Sequence, residues 1–211
     1  MPDRKRLLVL NTGGTLGMDP RATGSLAPGA VAETVLQFIP EVREIADIEM
    51  AVLFNQDSAN VTPRHWEAIA AAIADVVDQY DGFVIIHGTD TMAYTAAALS
   101  YMLANLPRPV ILTGAPRPIA AIRTDAKANL VTALDLATRD IPEVGIFFNH
   151  QLLRGNRARK TSIDDFDAYR SPNYPPLAEV GLHLEIHEGR LRRPSGLFRL
   201  QKGFSDKVLA L

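Results

Sequence analysis

Residues 48–86 decide the fold. Ile48-Glu49-Met50-Ala51-Val52-Leu53-Phe54 reads as a strand, Thr62-Pro63 opens a helix, and Phe83-Val84-Ile85-Ile86 reads as the next strand. Between them Trp66, Ile69, Ala70, Ile73, Val76, Val77 and Tyr80 follow the i, i+3, i+4, i+7 spacing of one apolar helix face. Thr62 is the expected N-cap and Pro63 the first helical position, where a missing N–H costs nothing. Strand, helix and strand in this order predict a parallel pair joined by a right-handed crossover.

The alternation continues in both directions. Leu7–Leu10 precedes the unit, and Val110–Leu112 and Gly145–Phe148 follow it, with helical stretches at Met92–Leu103 and Asp125–Ala137 between. Leu130, Leu134 and Ala137 form a stripe on the latter. Alternating strands and helices predict an α/β fold of three layers, a mostly parallel sheet with helices on both faces. The near-continuous apolar runs suit strands covered on both faces. Beyond His150 the character changes. Gln151–Pro176 is polar, basic and Pro-containing and is expected to be a long loop, whereas Leu182–His187 alternates as a half-buried strand would. Val208–Leu211 resembles the opening of another buried element, an edge that a second chain could pair with.

Composition sets the outer bounds. A chain of 211 residues is one domain, or one domain and a fragment, at roughly 100–200 residues per domain. Its 22 basic and 24 acidic residues leave a formal charge of −2, too balanced for a nucleic acid or a membrane to be the main partner. There is no cysteine, which removes disulfides, thiolate nucleophiles and Cys-ligated metals and fits a reducing cytoplasm. The four apolar residues Leu7–Leu10 are too few for a signal peptide, and no run approaches a membrane span.

Ligands of open α/β sheets bind at the carboxyl ends of the strands. Here four strands are each followed by small, hydroxyl, acidic or amide residues: Asn11-Thr12-Gly13-Gly14-Thr15, Asn55-Gln56-Asp57-Ser58, His87-Gly88-Thr89-Asp90-Thr91 and Thr113-Gly114-Ala115. Taken singly, each has a plain reading. Gly13-Gly14 is equally an ordinary turn. Thr89-Asp90 is more often a helix cap than a catalytic pair. The run Arg154–Lys160 is more often a solvated surface, although Lys160 could serve as the base a Thr nucleophile requires. No dinucleotide fingerprint or P-loop is present. His183 and His187 have i,i+4 spacing but fall on an expected strand and not on a helix, which argues against a zinc pair, and His87, at a strand end, reads as structural.

Together and in order, the clusters resemble the bacterial L-asparaginase/glutaminase family, closest to its type I cytosolic branch. Thr12-Gly13-Gly14-Thr15 is similar to the first family signature and His87-Gly88-Thr89-Asp90-Thr91-Met92 to the second. Asp57-Ser58, Thr113-Gly114-Ala115, Arg154-Gly155-Asn156, Lys160 and Ser171-Pro172-Asn173 fall where the family has them, and the resemblance runs from about Leu7 onward. It implies a Rossmann/flavodoxin-like N-terminal asparaginase domain over residues 1–188. Residues 189–211 would be a linker and the first residues of a C-terminal domain that is otherwise missing. It also implies an amidohydrolase that releases ammonia from L-asparagine through a Thr-linked acyl-enzyme. In that scheme Thr15 matches the nucleophile, and Thr89, Asp90 and Lys160 match a second Thr and its relay. Asp57 and Ser58 match groups that hold the substrate's ammonium and carboxylate. Gly14, Gly88, Ala115 and Ser25 fall at the remaining substrate-binding positions. The resemblance calls for no metal or organic cofactor, and implies a cytoplasmic homodimer acting on a small molecule.

Two departures stand out. The family's Tyr in the loop after the first motif has no counterpart: Ala22–Pro28 offers Ser25 or Leu26, and no Tyr occurs before Tyr80. The family's second domain is expected to be missing, and its loss to weaken activity. The competing readings are therefore a domain that binds the amino acid without turning it over, a glutaminase or amidotransferase-type subunit, and a flavodoxin-like redox domain.

Overall fold

The computed structural model describes residues 4–17, 35 and 37–204. Its centre is an eight-stranded sheet in the order β11-β10-β7-β6-β5-β3-β1-β2. Five strands are parallel: β1 (Arg6–Asn11), β2 (Asp47–Val52), β3 (Gly82–Ile86), β5 (Val110–Thr113) and β6 (Val144–Phe148). Three join antiparallel at one side: β7 (Gln151–Arg154), β10 (Ala178–Val180) and β11 (Leu184–Ile186). The short strands β4 (Leu103–Ala104) and β12 (Arg199–Leu200) pair with each other, as do β8 (Arg159–Lys160) and β9 (Tyr169–Arg170).

Two apolar layers sandwich the sheet, because successive strand residues face opposite sides. Leu7, Val9, Val84, Ile86, Ile111 and Phe147 pack with Val42 of α1 (Val42–Ile45) and Leu130 and Leu134 of α4 (Ala126–Ala137). Leu8, Leu10, Phe83, Ile85, Leu112 and Ile146 pack with Ile69 and Ile73 of α2 (Pro63–Ala74) and Ala96 and Leu99 of α3 (Met92–Met102). The expected three-layer α/β architecture is therefore present. At the start of α2 the third helical residue, His65, accepts the Thr62 N–H on Nδ1 at 3.0 Å. Among the described residues no helix is long and apolar enough to cross a membrane.

Three expectations need correction. The run Ile48–Phe54 is not covered on both faces: β2 is an edge strand, with Ile48, Met50 and Val52 half-buried and Asp47, Glu49 and Ala51 exposed. Gln151–Pro176 is not a loop throughout. It contains β7, β8 and β9, and β7 folds back on β6 through Asn149-His150, with Asn149 in the left-handed region at φ +57°. Asn adopts that conformation more readily than most residues, so the turn is cheap. The alternating stretch Leu182–His187 is strand only at Leu184–Ile186, and Leu182 is fully exposed. Val208–Leu211 lies outside the described residues.

Nor is the basic run wholly a solvated surface. Arg154 ends β7 inside the protein, 5% exposed, and both its Nε and Nη2 bond the Glu143 carboxylate, at 2.6 and 2.8 Å. Its Nη2 also donates to the Arg190 carbonyl, and the guanidinium lies 4.1 Å from the Tyr174 ring centre. Burial opposes the charge, but the Glu143 contact more than offsets it and raises the Arg154 pKa. The Arg192 N–H donates to the same carboxylate, so this pair pins residues 190–192 to the end of the sheet. Removing one partner of such a pair leaves a buried charge uncompensated, at about 3–5 kcal/mol. Arg154→Leu is accordingly expected to lower the urea midpoint by a loss of that size, and Arg154→Leu with Glu143→Leu to recover most of it.

Candidate functional site

Strands β2, β1, β3 and β5 are neighbours, so their four polar clusters lie side by side at one edge of the sheet. Hydroxyls stitch the strand ends together. Thr12 Oγ1 donates to the Ile86 carbonyl at 2.9 Å, and Thr113 Oγ1 to the Phe147 carbonyl at 3.0 Å. The His87 N–H donates to the Thr113 carbonyl at 2.9 Å.

Close backbone approach requires the glycines. Gly13 and Gly14 hold φ of +107° and +92°, where a side chain is strained. A Cβ on Gly14 would also sit 2.5 Å from the Gly88 nitrogen, and one on Gly88 would sit 2.6 Å from Ser58 Oγ. Gly14 therefore packs backbone on backbone against Gly88, which in turn lies against the Ser58 side chain. Thr15, at the start of a 3-10 turn (Thr15–Gly17), and Thr89 each leave from a glycine of that stack.

The second cluster is partly committed to structure. Exposed Asp57 caps the turn Ser58–Asn60, its Oδ1 accepting the Ala59 N–H at 2.9 Å. Ser58 is 3% exposed; its Oγ accepts the Asp90 N–H at 3.3 Å, and its carbonyl accepts from Thr91 Oγ1 at 2.7 Å.

Charge concentrates at the third cluster. Lys160 Nζ stands 2.9 Å from Thr89 Oγ1 and 2.7 Å from Asp90 Oδ1. The lysine side chain is 17% exposed, far from the solvated tail that its basic surroundings suggest. The β8–β9 pair delivers it and sets Tyr169 opposite. The buried Tyr169 hydroxyl donates to the Thr89 carbonyl. Burial, helped by the Asp90 charge, pushes the Tyr169 phenol far above its ordinary value and keeps the proton on it. A cleft of about 500 Å³ lined by Asp90, Lys160, Thr161, Ser162 and Ile163 opens beside the pair.

The fourth cluster offers backbone. Ala115 is buried in the core, and Asn129 Nδ2 holds the Gly114 carbonyl at 3.0 Å. Among the described residues no group of three or more His, Asp or Glu is placed to hold a metal ion. His187 instead contacts Glu179 at 2.9 Å and Glu185 at 3.6 Å. Ser25 lies outside the described residues. Sequence reading missed Tyr169, whose one signal was an aromatic side chain in an otherwise polar stretch. It also left His87 without partners; the ring lies 2.7 Å from the Gly88 carbonyl and 2.9 Å from Thr95 Oγ1.

A hydroxyl held by an ammonium, itself held by a carboxylate, is an arrangement that can move a proton off or onto a hydroxyl. Comparison with known proteins bears on the family. Residues 6–192 match the family described as asparaginase, N-terminal. The chain is 46% identical over 187 residues to L-asparaginase 1 of Escherichia coli (strain K12), covering 86% of this chain and 55% of that protein. It is 41% identical to the 60 kDa lysophospholipase of Mus musculus, covering 93% of this chain and 39% of that one. The crystal structure of L-asparaginase I from Vibrio cholerae superposes with a TM-score of 0.85 at 43% identity, over 94% of this chain and 61% of that chain. The chain thus spans about half the length of the curated relatives it matches.

Tyr169 supplies a test of the site's construction. Tyr169→Phe strands the Thr89 carbonyl, a loss of about 1–3 kcal/mol. An unfolded tyrosine ionises near about pH 10. The folded value is raised, so the phenol's contribution is full below that pH and is lost as pH rises beyond it. Urea denaturation at neutral pH and at about pH 11 should find the variant less stable at the first and less pH-sensitive between the two.

Proposed function

The chain belongs to the asparaginase family, and from that premise we propose that it hydrolyses the side-chain amide of L-asparagine to L-aspartate and ammonia. The observation that carries the reading is Lys160 Nζ bridging Thr89 Oγ1 and Asp90 Oδ1 beside the Gly14–Gly88 stack. In this reading the Thr15 hydroxyl attacks the amide carbon and its proton passes to the departing nitrogen, which leaves as ammonia. Water then adds to the Thr15 ester, and its proton returns to Thr15 as aspartate leaves.

Thr89, Asp90 and Lys160 hold and move the proton of the attacking group. Asp57 faces the substrate ammonium, and Ser58 supports the carboxylate. Gly14, Gly88 and Ala115 present backbone groups to the developing oxyanion, and Ser25 contributes a hydroxyl where the family has a tyrosine. We place the protein in the cytoplasm as a homodimer, a reading supported by its cysteine-free composition and by family membership.

Ammonia release from L-asparagine tests the proposal. Thr15→Ala and Thr89→Ala should each fall to background, and Lys160→Met should lose about 10²–10⁴-fold, the worth of general acid–base help. All three should keep the wild-type fold by circular dichroism. Turnover retained in both threonine variants refutes the assignment. L-Glutamine, one methylene longer, should be hydrolysed about 10–200-fold less efficiently.

A further inference from the structure

We propose that His87 is a positioning residue: locked as its Nδ1–H tautomer, it holds the Gly88 carbonyl and so sets the Gly88–Thr89 peptide from which the Thr89–Lys160–Asp90 cluster is built. This rests on the function proposed above.

Every proton in the surrounding network can be placed. His87 is 1% exposed, and its Nδ1 lies 2.7 Å from the Gly88 carbonyl oxygen. A carbonyl can only accept, so Nδ1 carries the hydrogen. The neutral ring then accepts on Nε2, and Thr95 Oγ1, 2.9 Å away, donates to it. Thr95 Oγ1 accepts in turn from the indole N–H of Trp66 at 3.0 Å, a group that can only donate. Donation therefore runs one way, from Trp66 on α2 through Thr95 on α3 to His87 and the Gly88 carbonyl. Burial, working against the Gly88 bond, pushes the imidazole pKa below its ordinary value and keeps the ring neutral. Thr95 is itself fully buried, so its hydroxyl is shielded from bulk solvent.

The need for such a lock follows from Gly88. Ser58 leaves no room for a side chain there, since a Cβ would sit 2.6 Å from its Oγ and 2.7 Å from its Cβ, so the residue must be glycine. Glycine has the widest backbone freedom of any residue, and this one immediately precedes Thr89. Neighbouring groups are fixed by other side chains: the Thr89 carbonyl by Tyr169 and the Asp90 N–H by Ser58. His87 is what fixes the Gly88 carbonyl. A misplacement of about 1 Å at a reacting group can cost about 10²-fold in rate.

Two amide replacements separate the contacts. His87→Asn sets an amide N–H near the former Nδ1 and gives up Thr95. His87→Gln sets its amide near the former Nε2, keeps Thr95 and gives up Gly88. With L-asparagine, His87→Asn should retain kcat within about threefold, while His87→Gln should lose about 10–100-fold in kcat with KM little changed. Equal losses in the two variants, or a fully active His87→Gln, overturn the proposal. Thr95→Val covers the case of a His87 variant that does not fold: kcat should fall with Val and recover in Thr95→Ser, and no recovery counts against the proposal.

If the wild-type chain releases no ammonia, the proposed function fails and the positioning role is decided by NMR alone. The His87 ring nitrogens should report the neutral Nδ1–H tautomer at neutral pH, with protonation setting in only below the ordinary histidine value. The Thr89 amide resonance should move in His87→Gln and hold in His87→Asn. An Nε2–H tautomer, or a Thr89 amide indifferent to both substitutions, overturns the inference.

Discussion

The meeting of Gly14 with Gly88, backbone against backbone, is the constraint on which the site depends. A Cβ on Gly14 would fall 2.6 Å from the Gly88 Cα, inside the closest approach that real side chains make. The missing side chain of Gly88 lets its loop sit against Ser58, and that of Gly14 lets the loops after β1 and β3 touch. That contact brings two threonines from distant parts of the chain to one place. The cost is conformational entropy, since two glycines in φ-positive turns and a third in the stack are loose in the unfolded chain. The surrounding hydroxyls, Tyr169 and Asn129 offset it by tying the same loops down with hydrogen bonds to buried backbone groups.

Much of this was legible because it is local. The apolar runs of β1, β3, β5 and β6 and the stripe of α2 carry their own period, and four polar clusters directly follow four strands. The hairpin partners were not legible. Strands of two residues, such as β8 and β9, have no period to detect, and the polar composition around Leu152-Leu153 outweighed two leucines that in fact enter the core. Nor could local pattern place Lys160 on Thr89, since the two are separated by 71 positions and meet only when β8 crosses the strand ends. Only family resemblance pointed to that pairing. His87 read as structural, and it is buried; its partner Thr95 on α3, and Trp66 behind that on α2, leave no mark in the local sequence.

The electrostatics divide by depth. Arg154 and Glu143 are charged and buried because each satisfies the other, and the pair holds the far end of the sheet. At the strand ends Lys160 stays partly solvated, so Asp90 and Thr89 can share it without the full desolvation penalty of an interior pair. The neutral pair Thr95 and His87 is buried deeper than either, and there directional hydrogen bonding sets orientation without introducing charge.

The edge strand β2 has a consequence for how copies of the protein meet. Its outward residues include Asp47 and Glu49, and at the opposite edge β11 carries Glu185, all exposed. Two such edges brought together would set like charges across from one another, which disfavours a shared sheet. The open backbone of either edge is thereby guarded against runaway fibre-like growth. On the helical face, by contrast, Tyr94 and Tyr101 offer broad, uncharged rings to solvent.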